Sequence, residues 1–169
     1  MIDLKTLLSR HAQDGRVDWI GVRPARHESL LAVDQVEVLT DGLVGDHARP
    51  GKRAVTLIQG EHLLVIAQLM GRGAIPPEVF RRNIVVSGLN LAALRGAVIS
   101  LGSAHLWITT VCAPCSRMET VLGFGGYNAM RGHGGWCAEV VTPGAVALGD
   151  AVRVVEHARL SSPDGLSSR

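Results

Sequence analysis

Short apolar segments recur along this chain, and turns that contain glycine or proline separate most of them. Segments of roughly four to eight residues rich in β-branched side chains are typical of strands. Gly60–Met70 alone shows extended helical spacing, because Leu63, Ile66, Ala67 and Met70 follow at i, i+3, i+4 and i+7. About eight strands without strict strand–helix alternation predict an α+β fold that is predominantly β, a closed or nearly closed β-barrel with peripheral helices. The predicted strands are 17–22, 33–40, 53–58, 83–87, 98–101, 104–111, 136–142 and 151–156.

The chain length of 169 residues suits one domain with a substantial core. The spacing of Leu4, Leu7 and Leu8 predicts a short amphipathic helix, so residues 1–16 are interpreted as an N-terminal helical extension. Residues 17–157 form the predicted barrel domain. Residues 158–169, which are rich in serine with proline and glycine, are predicted to be a disordered tail.

Composition narrows the classes of partner. Apolar residues make up 47 % of the chain, charged residues 19 %, and the net charge is only +2, so we expect no nucleic-acid partner and no membrane partner. The longest apolar run, residues 63–70, is far too short to span a bilayer. Asp3 and Lys5 interrupt the apolar N-terminus, which is unlike a signal peptide. We therefore expect a cytoplasmic protein with reduced thiols.

The segment Cys112-Ala-Pro-Cys115 places two cysteines directly after an apolar strand. Residues 116–122 are compatible with a short helix, so Cys115 would lie at or just before the first turn. The positive end of that helix and the neighbouring Arg117 both favour the thiolate, which is the form that attacks, carries sulfur or binds a soft metal.

The pattern of the cysteines leaves four interpretations open. One is a zinc half-site completed by Cys137 and His133, although that spacing matches no common zinc module. Another is a dithiol redox motif like that of thioredoxin, without the βαβ pattern that normally surrounds it. A third interpretation is a pair of buried structural cysteines, and the fourth is one cysteine that acts as a metal ligand or sulfur carrier.

Arginines recur beside glycine turns, and two long glycine-rich loops accompany them at residues 42–51 and 123–135. A single arginine is usually solvated surface, but as a set they suit a ligand that carries phosphate, because guanidinium binds phosphate through paired hydrogen bonds. The loops contain His47 and His133. Neither a dinucleotide-binding glycine pattern nor a P-loop occurs, so a nucleotide-driven enzyme is unsupported. The arginines concerned are Arg49, Arg53, Arg81, Arg82, Arg117 and Arg131.

Taken in order, six segments resemble the MOSC domain, the module found at the C-terminus of molybdenum-cofactor sulfurases and as stand-alone bacterial proteins. The resemblance spans about residues 17–156 and implies a β-barrel surrounded by helices, in agreement with the strand count. The matching segments are Gly42–His47, Arg53–Leu57, Phe80–Gly88, Leu94–Gly96, Cys112–Arg117 and Gly144–Asp150.

The resemblance implies that Cys115, the second cysteine of the Cys-x-x-Cys motif, is the catalytic residue and the ligand of molybdenum in a molybdenum–pterin cofactor. The family's Arg-Pro-Asn corresponds to Arg81-Arg82-Asn83, with arginine at the proline position, so the cofactor contact falls on Arg81 or on Arg82. The complete set of expected cofactor-binding residues is Arg53, Arg81, Arg82, Asn83, Ser116, Arg117 and His47. Pyridoxal phosphate is not expected, because the chain has no desulfurase domain.

Three functions are compatible with this resemblance. The protein would be the terminal component of a reductase whose small-molecule substrate is an N-hydroxylated compound. Such a reductase requires a separate electron-donor protein. Alternatively, Cys115 would carry sulfur as a persulfide supplied by a cysteine desulfurase, with Cys112 resolving it through a disulfide. A third possibility is a non-catalytic module that binds or delivers the cofactor. The sequence does not choose among them, and whether the protein is an enzyme stays open.

Overall fold

A computed structural model describes residues 1–157, and its main element is a closed barrel of seven strands. The strand order is β11-β7-β8-β9-β5-β6-β1, and β1 closes the barrel by pairing with β11 at Gly15↔Val152 and Arg16↔Ala151. The predicted fold class is therefore confirmed. The barrel strands are β1 Gly15–Val22, β5 Val55–Gln59, β6 Ile84–Ser87, β7 Val98–Leu101, β8 Ala104–Val111, β9 Trp136–Thr142 and β11 Ala151–Glu156.

Neighbouring barrel strands are antiparallel except for β5 and β6. That parallel pair needs a crossover, which helix α2 (Gly60–Leu69) and a 3-10 turn (Pro77–Phe80) provide. A second sheet of three strands, in the order β10-β3-β4, lies beside the barrel, and the two-residue strand β2 (Leu31–Ala32) pairs with β1. The strands of this second sheet are β3 Gln35–Leu39, β4 Gly42–Leu43 and β10 Gly144–Ala147. In β3 the expected alternation holds, since Val36 and Val38 are buried and Glu37 is exposed.

Two apolar clusters stabilise the fold. The first fills the barrel interior and includes Leu57, Ile84, Ile99 and Leu106. The second lies outside the barrel, where α2 packs through Ile66 and Ala67 together with Phe80 and residues of two later helices. These helices, α3 (Ser116–Leu122) and α4 (Gly126–Met130), follow the Cys-x-x-Cys segment. The second cluster therefore fixes the helix on which Cys115 is placed.

One local prediction is wrong, because residues 123–135 are not entirely a loop. Helix α4 forms within them despite their glycines, and the Glu119 carboxylate explains why. It accepts hydrogen bonds from the amides of Gly125 (2.7 Å) and Tyr127 (2.8 Å), and so satisfies donors that the start of a helix leaves free. The absence of a side chain at Gly126 also matters, since a Cβ there would lie 2.9 Å from the Met118 carbonyl oxygen.

The N-terminal segment contains one short helix. Helix α1 (Leu4–Leu8) begins after Asp3, whose carboxylate accepts a hydrogen bond from the Thr6 amide at 2.9 Å, and none of its residues is buried. A 3-10 turn also forms at Leu91–Leu94. The predicted tail, residues 158–169, lies outside the described residues. Within residues 1–157, no helix has the length and apolar character needed to cross a bilayer.

Candidate functional site

Cys115 is an exposed thiol held at a fixed place between the barrel and α3. The Cys112 amide donates to the Gly135 carbonyl oxygen at 2.9 Å, which extends the β8–β9 pairing by one residue. The chain then leaves the sheet, and Cys115 becomes the N-cap residue of α3, with its carbonyl oxygen accepting from the Met118 amide at 2.8 Å. Because Met118 and Leu122 anchor α3 in the second apolar cluster, the sulfur is presented on a rigid element.

Two arginines hold the loop that follows β1 close to this thiol. Arg81 donates to the carbonyl oxygens of Glu28 (3.1 Å) and Arg26 (3.5 Å), and Arg117 donates to the carbonyl oxygen of His27 at 3.0 Å. Desolvation lowers the pKa of Arg81, the charges of neighbouring arginines lower it further, and Cys115 acts in the opposite direction. Arg81 and Cys115 therefore lie close enough to interact electrostatically.

His27 completes this group as a neutral imidazole. Its Nδ1 lies 2.8 Å from an Arg117 terminal nitrogen, and because arginine can only donate, Nδ1 accepts and the ring proton is on Nε2. Desolvation lowers the pKa of His27, and the positive charges of Arg117, Arg26, Arg81 and Arg23 lower it further. His27 thus adds no positive charge to the cluster.

The cationic cluster, defined here as Arg23, Arg81 and Arg117 beside Cys115, has unused donors. Among the described residues, the Nε atoms of Arg23 and Arg117 are buried without a hydrogen-bond partner. Buried donors normally find an acceptor, so these two point to an anionic group that the protein itself does not supply. Loop 42–51 borders the cluster, since Asp46 accepts from the Arg23 amide at 2.7 Å and the His47 amide donates to the Arg23 carbonyl oxygen at 2.6 Å.

Arg82 and Asn83 lie inside the protein and support its backbone. Arg82 is 7 % exposed and donates to the carbonyl oxygens of Gly134 (2.7 Å), Cys112 (3.0 Å) and Phe80 (3.2 Å). Asn83 is 5 % exposed, accepts from the amide and hydroxyl of Thr56, and donates to the Gly21 carbonyl oxygen. Arg82 therefore joins the Cys-x-x-Cys segment to loop 123–135, whereas Arg81 reaches the cluster at Cys115.

Arg53 lies at a different place, against the thiols of Cys112 and Cys137. Interaction with Cys137, and then with Cys112, raises the pKa of its guanidinium. Both cysteines are buried, whereas Ser116 and His47 are exposed. The predicted site residues thus divide into an outer group around Cys115, a supporting pair formed by Arg82 and Asn83, and Arg53 beside the buried thiols.

The zinc interpretation finds no support. Within residues 1–157, no three histidine, cysteine or acidic side chains converge as metal ligands. His133 packs edge to face on His62 instead, with ring centroids 4.9 Å apart. Desolvation lowers the pKa of His62, and the charge of His133 adds to this effect.

A cavity of about 940 Å³ lies elsewhere, between α1 and residues 93–97, and its lining includes His11 and His157. None of its lining residues belongs to the cationic cluster. The surroundings of Cys115 are the stronger candidate site, because an exposed thiol and unpaired arginine donors occur together there.

The comparison with protein families decides the classification. The model of the MOSC domain matches residues 27–153, about three quarters of the chain. This chain belongs to the MOSC family. No curated protein matches it significantly.

Solved MOSC-like structures share the fold. The YuaD protein from Bacillus subtilis superposes with a TM-score of 0.73 at 21 % identity, over 84 % of this chain and 96 % of that one. YiiM from Geobacillus stearothermophilus gives a TM-score of 0.72 at 20 % identity, over 84 % and 75 % of the two chains. YiiM from Escherichia coli gives 0.68 at 21 % identity, over 84 % and 70 %. At these identities the likeness establishes the MOSC barrel and nothing finer.

The sequence pattern alone does not indicate the contribution of the loop after β1. Arg23, Arg26 and His27 all lie close enough to Arg81 or Arg117 to affect, or be affected by, the local charge. A signal was available, because three basic residues occur within five positions immediately after a strand. Only the fold shows that Arg81 and Arg117 bind this loop.

Proposed function

We propose that this MOSC protein binds a molybdenum–pterin cofactor and that the Cys115 sulfur is the protein ligand of the metal. The observation that carries the proposal is an exposed thiol beside arginines whose buried Nε donors lack acceptors among the described residues. Thiolate sulfur suits a thiophilic metal, and guanidinium suits a phosphate. The residues present therefore fit a ligand that carries both groups.

The charges of the cluster support the same proposal. Arg23 and Arg117 both lower the pKa of Arg81, which means that the three cations repel one another at this site. A bound phosphate would offset this repulsion and accept from the unpaired Nε atoms of Arg23 and Arg117. Neutral His27 orients Arg117 by accepting from it, so this histidine acts as a positioning residue.

The other expected residues support the site or border it. Arg82 and Asn83 hold the backbone on either side of the site, and Ser116 and His47 line its border. When bound, the cofactor supplies two-electron oxygen-atom chemistry, with N-hydroxylated compounds as the proposed substrates. The protein supplies the sulfur ligand, the anion-binding arginines and a rigid frame. As a reductase it would rely on a separate electron-donor protein.

Sulfur transfer is the second candidate, favoured by the exposure of Cys115. An exposed thiol is accessible to a cysteine desulfurase, and the positive charge of Arg81 would stabilise a persulfide anion. Incubation with a desulfurase and cysteine, followed by mass spectrometry, should then add one sulfur atom to Cys115. If the protein instead delivers the cofactor to another protein, the purified protein should retain pterin and show no turnover of a substrate.

The arginine cluster provides the test of the cofactor proposal. Wild type, Arg117→Met and Arg131→Met are expressed in cells with intact cofactor synthesis, and their pterin content is measured after oxidation to the fluorescent form. Arg131 is exposed and accounts for general effects of losing an arginine. We expect Arg117→Met to lose at least about 90 % of the pterin, because loss of a charge-assisted contact of about 1.5–3 kcal/mol reduces affinity by about tenfold or more. Equal retention by both variants would contradict the proposed role of the cluster.

A further inference from the structure

Two buried thiols, Cys112 and Cys137, lie together behind the site, and the proposed function does not use them. Thr110 pairs with Cys137 and Val111 with Trp136, while the Cys112 amide donates to the Gly135 carbonyl oxygen. Side chains two residues apart on a strand share one face, so Cys112 lies diagonally across the sheet from Cys137 on the same face. Their side chains are close enough to interact directly.

The surroundings of this pair distinguish its two members. A hydrogen bond from Cys137, helped by the charges of Arg82 and Arg53, lowers the pKa of Cys112 to about 6 despite its burial. The interaction with Cys112 and burial both raise the pKa of Cys137. The charges of Arg82 and Arg53 therefore favour the thiolate of Cys112, whereas its neighbour Cys137 holds its proton more tightly, and this is the combination needed for a nucleophile and a resolving group.

Two other readings of the pair fit the structure less well. A metal ion would have to bind next to two guanidinium groups, and no third ligand converges on it within the described residues. A disulfide between Cys112 and Cys115 would require the buried sulfur to leave Cys137 and Arg53 for an exposed position at the start of α3. The geometry favours Cys137 as the partner of Cys112.

We infer that Cys112 and Cys137 form a site of reversible oxidation, at which a hydroperoxide converts the pair into an intramolecular disulfide while Cys115 stays a free thiol. Cys112 is 5 % exposed and Cys137 is fully buried, so the site admits an oxidant as small as hydrogen peroxide at Cys112 first. Arg53, which is exposed, interacts with both sulfurs.

The reaction balances with hydrogen peroxide as the oxidant. The Cys112 thiolate attacks one peroxide oxygen, the O–O bond breaks, and the leaving hydroxide takes up a proton to give water and a Cys112 sulfenic acid. The Cys137 sulfur then attacks the Cys112 sulfur and gives up its proton, and the S–O bond breaks to release a second water. Two thiol sulfurs have lost two electrons in total, and the peroxide has gained them. A dithiol reductant reverses the reaction by thiol–disulfide exchange.

The bond would form where β8 ends. A disulfide needs Cα atoms about 4.4–6.8 Å apart, and Cys112 is the residue at which the chain leaves β8 for an irregular segment. Bond formation would shift residues 112–114 and stretch the contact between the Cys112 amide and the Gly135 carbonyl oxygen, while the pairing of β8 with β9 up to Val111 is kept. Oxidation removes the negative sulfur beside Arg53 and Arg82, so Arg53 is released to solvent and the Cys115 loop is tied to β9.

Mass spectrometry of the full chain without reduction provides the test. Trypsin places Cys112 and Cys115 in one peptide, residues 96–117, and Cys137 in another, residues 132–153. After treatment with hydrogen peroxide, we expect these two peptides to be joined in the wild type and in Cys115→Ser. A disulfide confined to peptide 96–117 would overturn the inference, as would oxidation of Cys115 alone with Cys137 still open to alkylation after unfolding.

Arg53 offers a second measurement that does not disturb the core. Arg53→Met should slow disulfide formation several-fold at pH 7, because it raises the pKa of Cys112 and lowers the thiolate fraction. Arg49→Met, which removes an exposed arginine of the preceding loop, should leave the rate at the wild-type value. Equal rates for the two variants would overturn the assigned role of Arg53.

Discussion

Replacement of Arg82 by methionine tests whether this arginine supports the frame of the site. Its guanidinium donates to three carbonyl oxygens at 2.7, 3.0 and 3.2 Å and is almost completely buried. Each buried acceptor left without a donor costs about 1–3 kcal/mol, whereas removal of a buried charge recovers part of its desolvation cost. With two short bonds dominating, we expect Arg82→Met to lower the free energy of unfolding by about 2–4 kcal/mol. Methionine retains the apolar stem, so this loss reports the hydrogen bonds.

Urea unfolding followed by circular dichroism measures this difference, and Arg153→Met is the matched control. Arg153 also makes a short contact, 2.7 Å from Nε to Asp14, but its side chain is 60 % exposed. Surface ion pairs contribute at most about 1 kcal/mol, so we expect the control to remain within that of the wild type. An Arg82→Met protein as stable as the control would refute the supporting role and favour a direct contact of Arg82 with a ligand.

Three further predictions concern the fold and the cysteines. The free energy of unfolding should rise from pH 6 to pH 9, because the pKa of Cys112 is about 6 in the folded protein and near 9 in the unfolded chain. Above pH 9 it should fall, because burial and Cys112 raise the pKa of folded Cys137. Cys112→Ala should abolish the rise in pH-dependent unfolding curves. Gly135→Ala should lower the free energy of unfolding in urea by more than about 3 kcal/mol, since a Cβ there collides with a carbonyl oxygen of β5. Gly71 also has a positive φ but lies in open space, so Gly71→Ala should lower it by only about 1 kcal/mol. Arg81→Asn should keep the melting temperature, because asparagine tolerates the left-handed backbone at φ 60°, yet should lose bound pterin; an intact pterin content would count against Arg81 as a cofactor contact.

The barrel strands were predictable because short runs of β-branched residues indicate each of them. Strands β7 and β8 have the bounds expected from their β-branched runs, and α3 begins at Ser116 as expected. Helix α4 was not predictable from composition, since five glycines surround it, and it depends on a carboxylate six to eight residues earlier that satisfies its amides. That interaction becomes visible only when α3 has folded.

The sequence indicates which residues belong to the candidate site, but not how they are arranged. The sequence singles out Cys115 and nearby arginines, and the structure shows Arg81 and Arg117 beside that thiol. The sequence could not show which of Arg81 and Arg82 reaches the thiol, because of two neighbouring residues one can face the solvent and the other the interior. The backbone makes that choice: Arg81 adopts a left-handed conformation with φ 60°, which turns the chain so that Arg82 enters the protein.

The partnership of the cysteines was also hidden from spacing alone. Cys-x-x-Cys suggests that Cys112 and Cys115 act together, whereas Cys112 interacts with Cys137. The pairing of β8 with β9 brings these two residues together across 24 intervening positions. Contacts between residues so far apart in the chain depend on the register of the sheet.

The most direct test of the central proposal is the molybdenum content of wild type and Cys115→Ser, both purified from cells with intact cofactor synthesis and analysed by elemental mass spectrometry. Cys115 is exposed and caps a short helix, so serine should preserve the fold, which melting curves would verify. We expect molybdenum in the wild type at close to one atom per chain and a loss of most of it in Cys115→Ser. Equal amounts in the two proteins, whether substantial or negligible, would contradict Cys115 as the metal ligand.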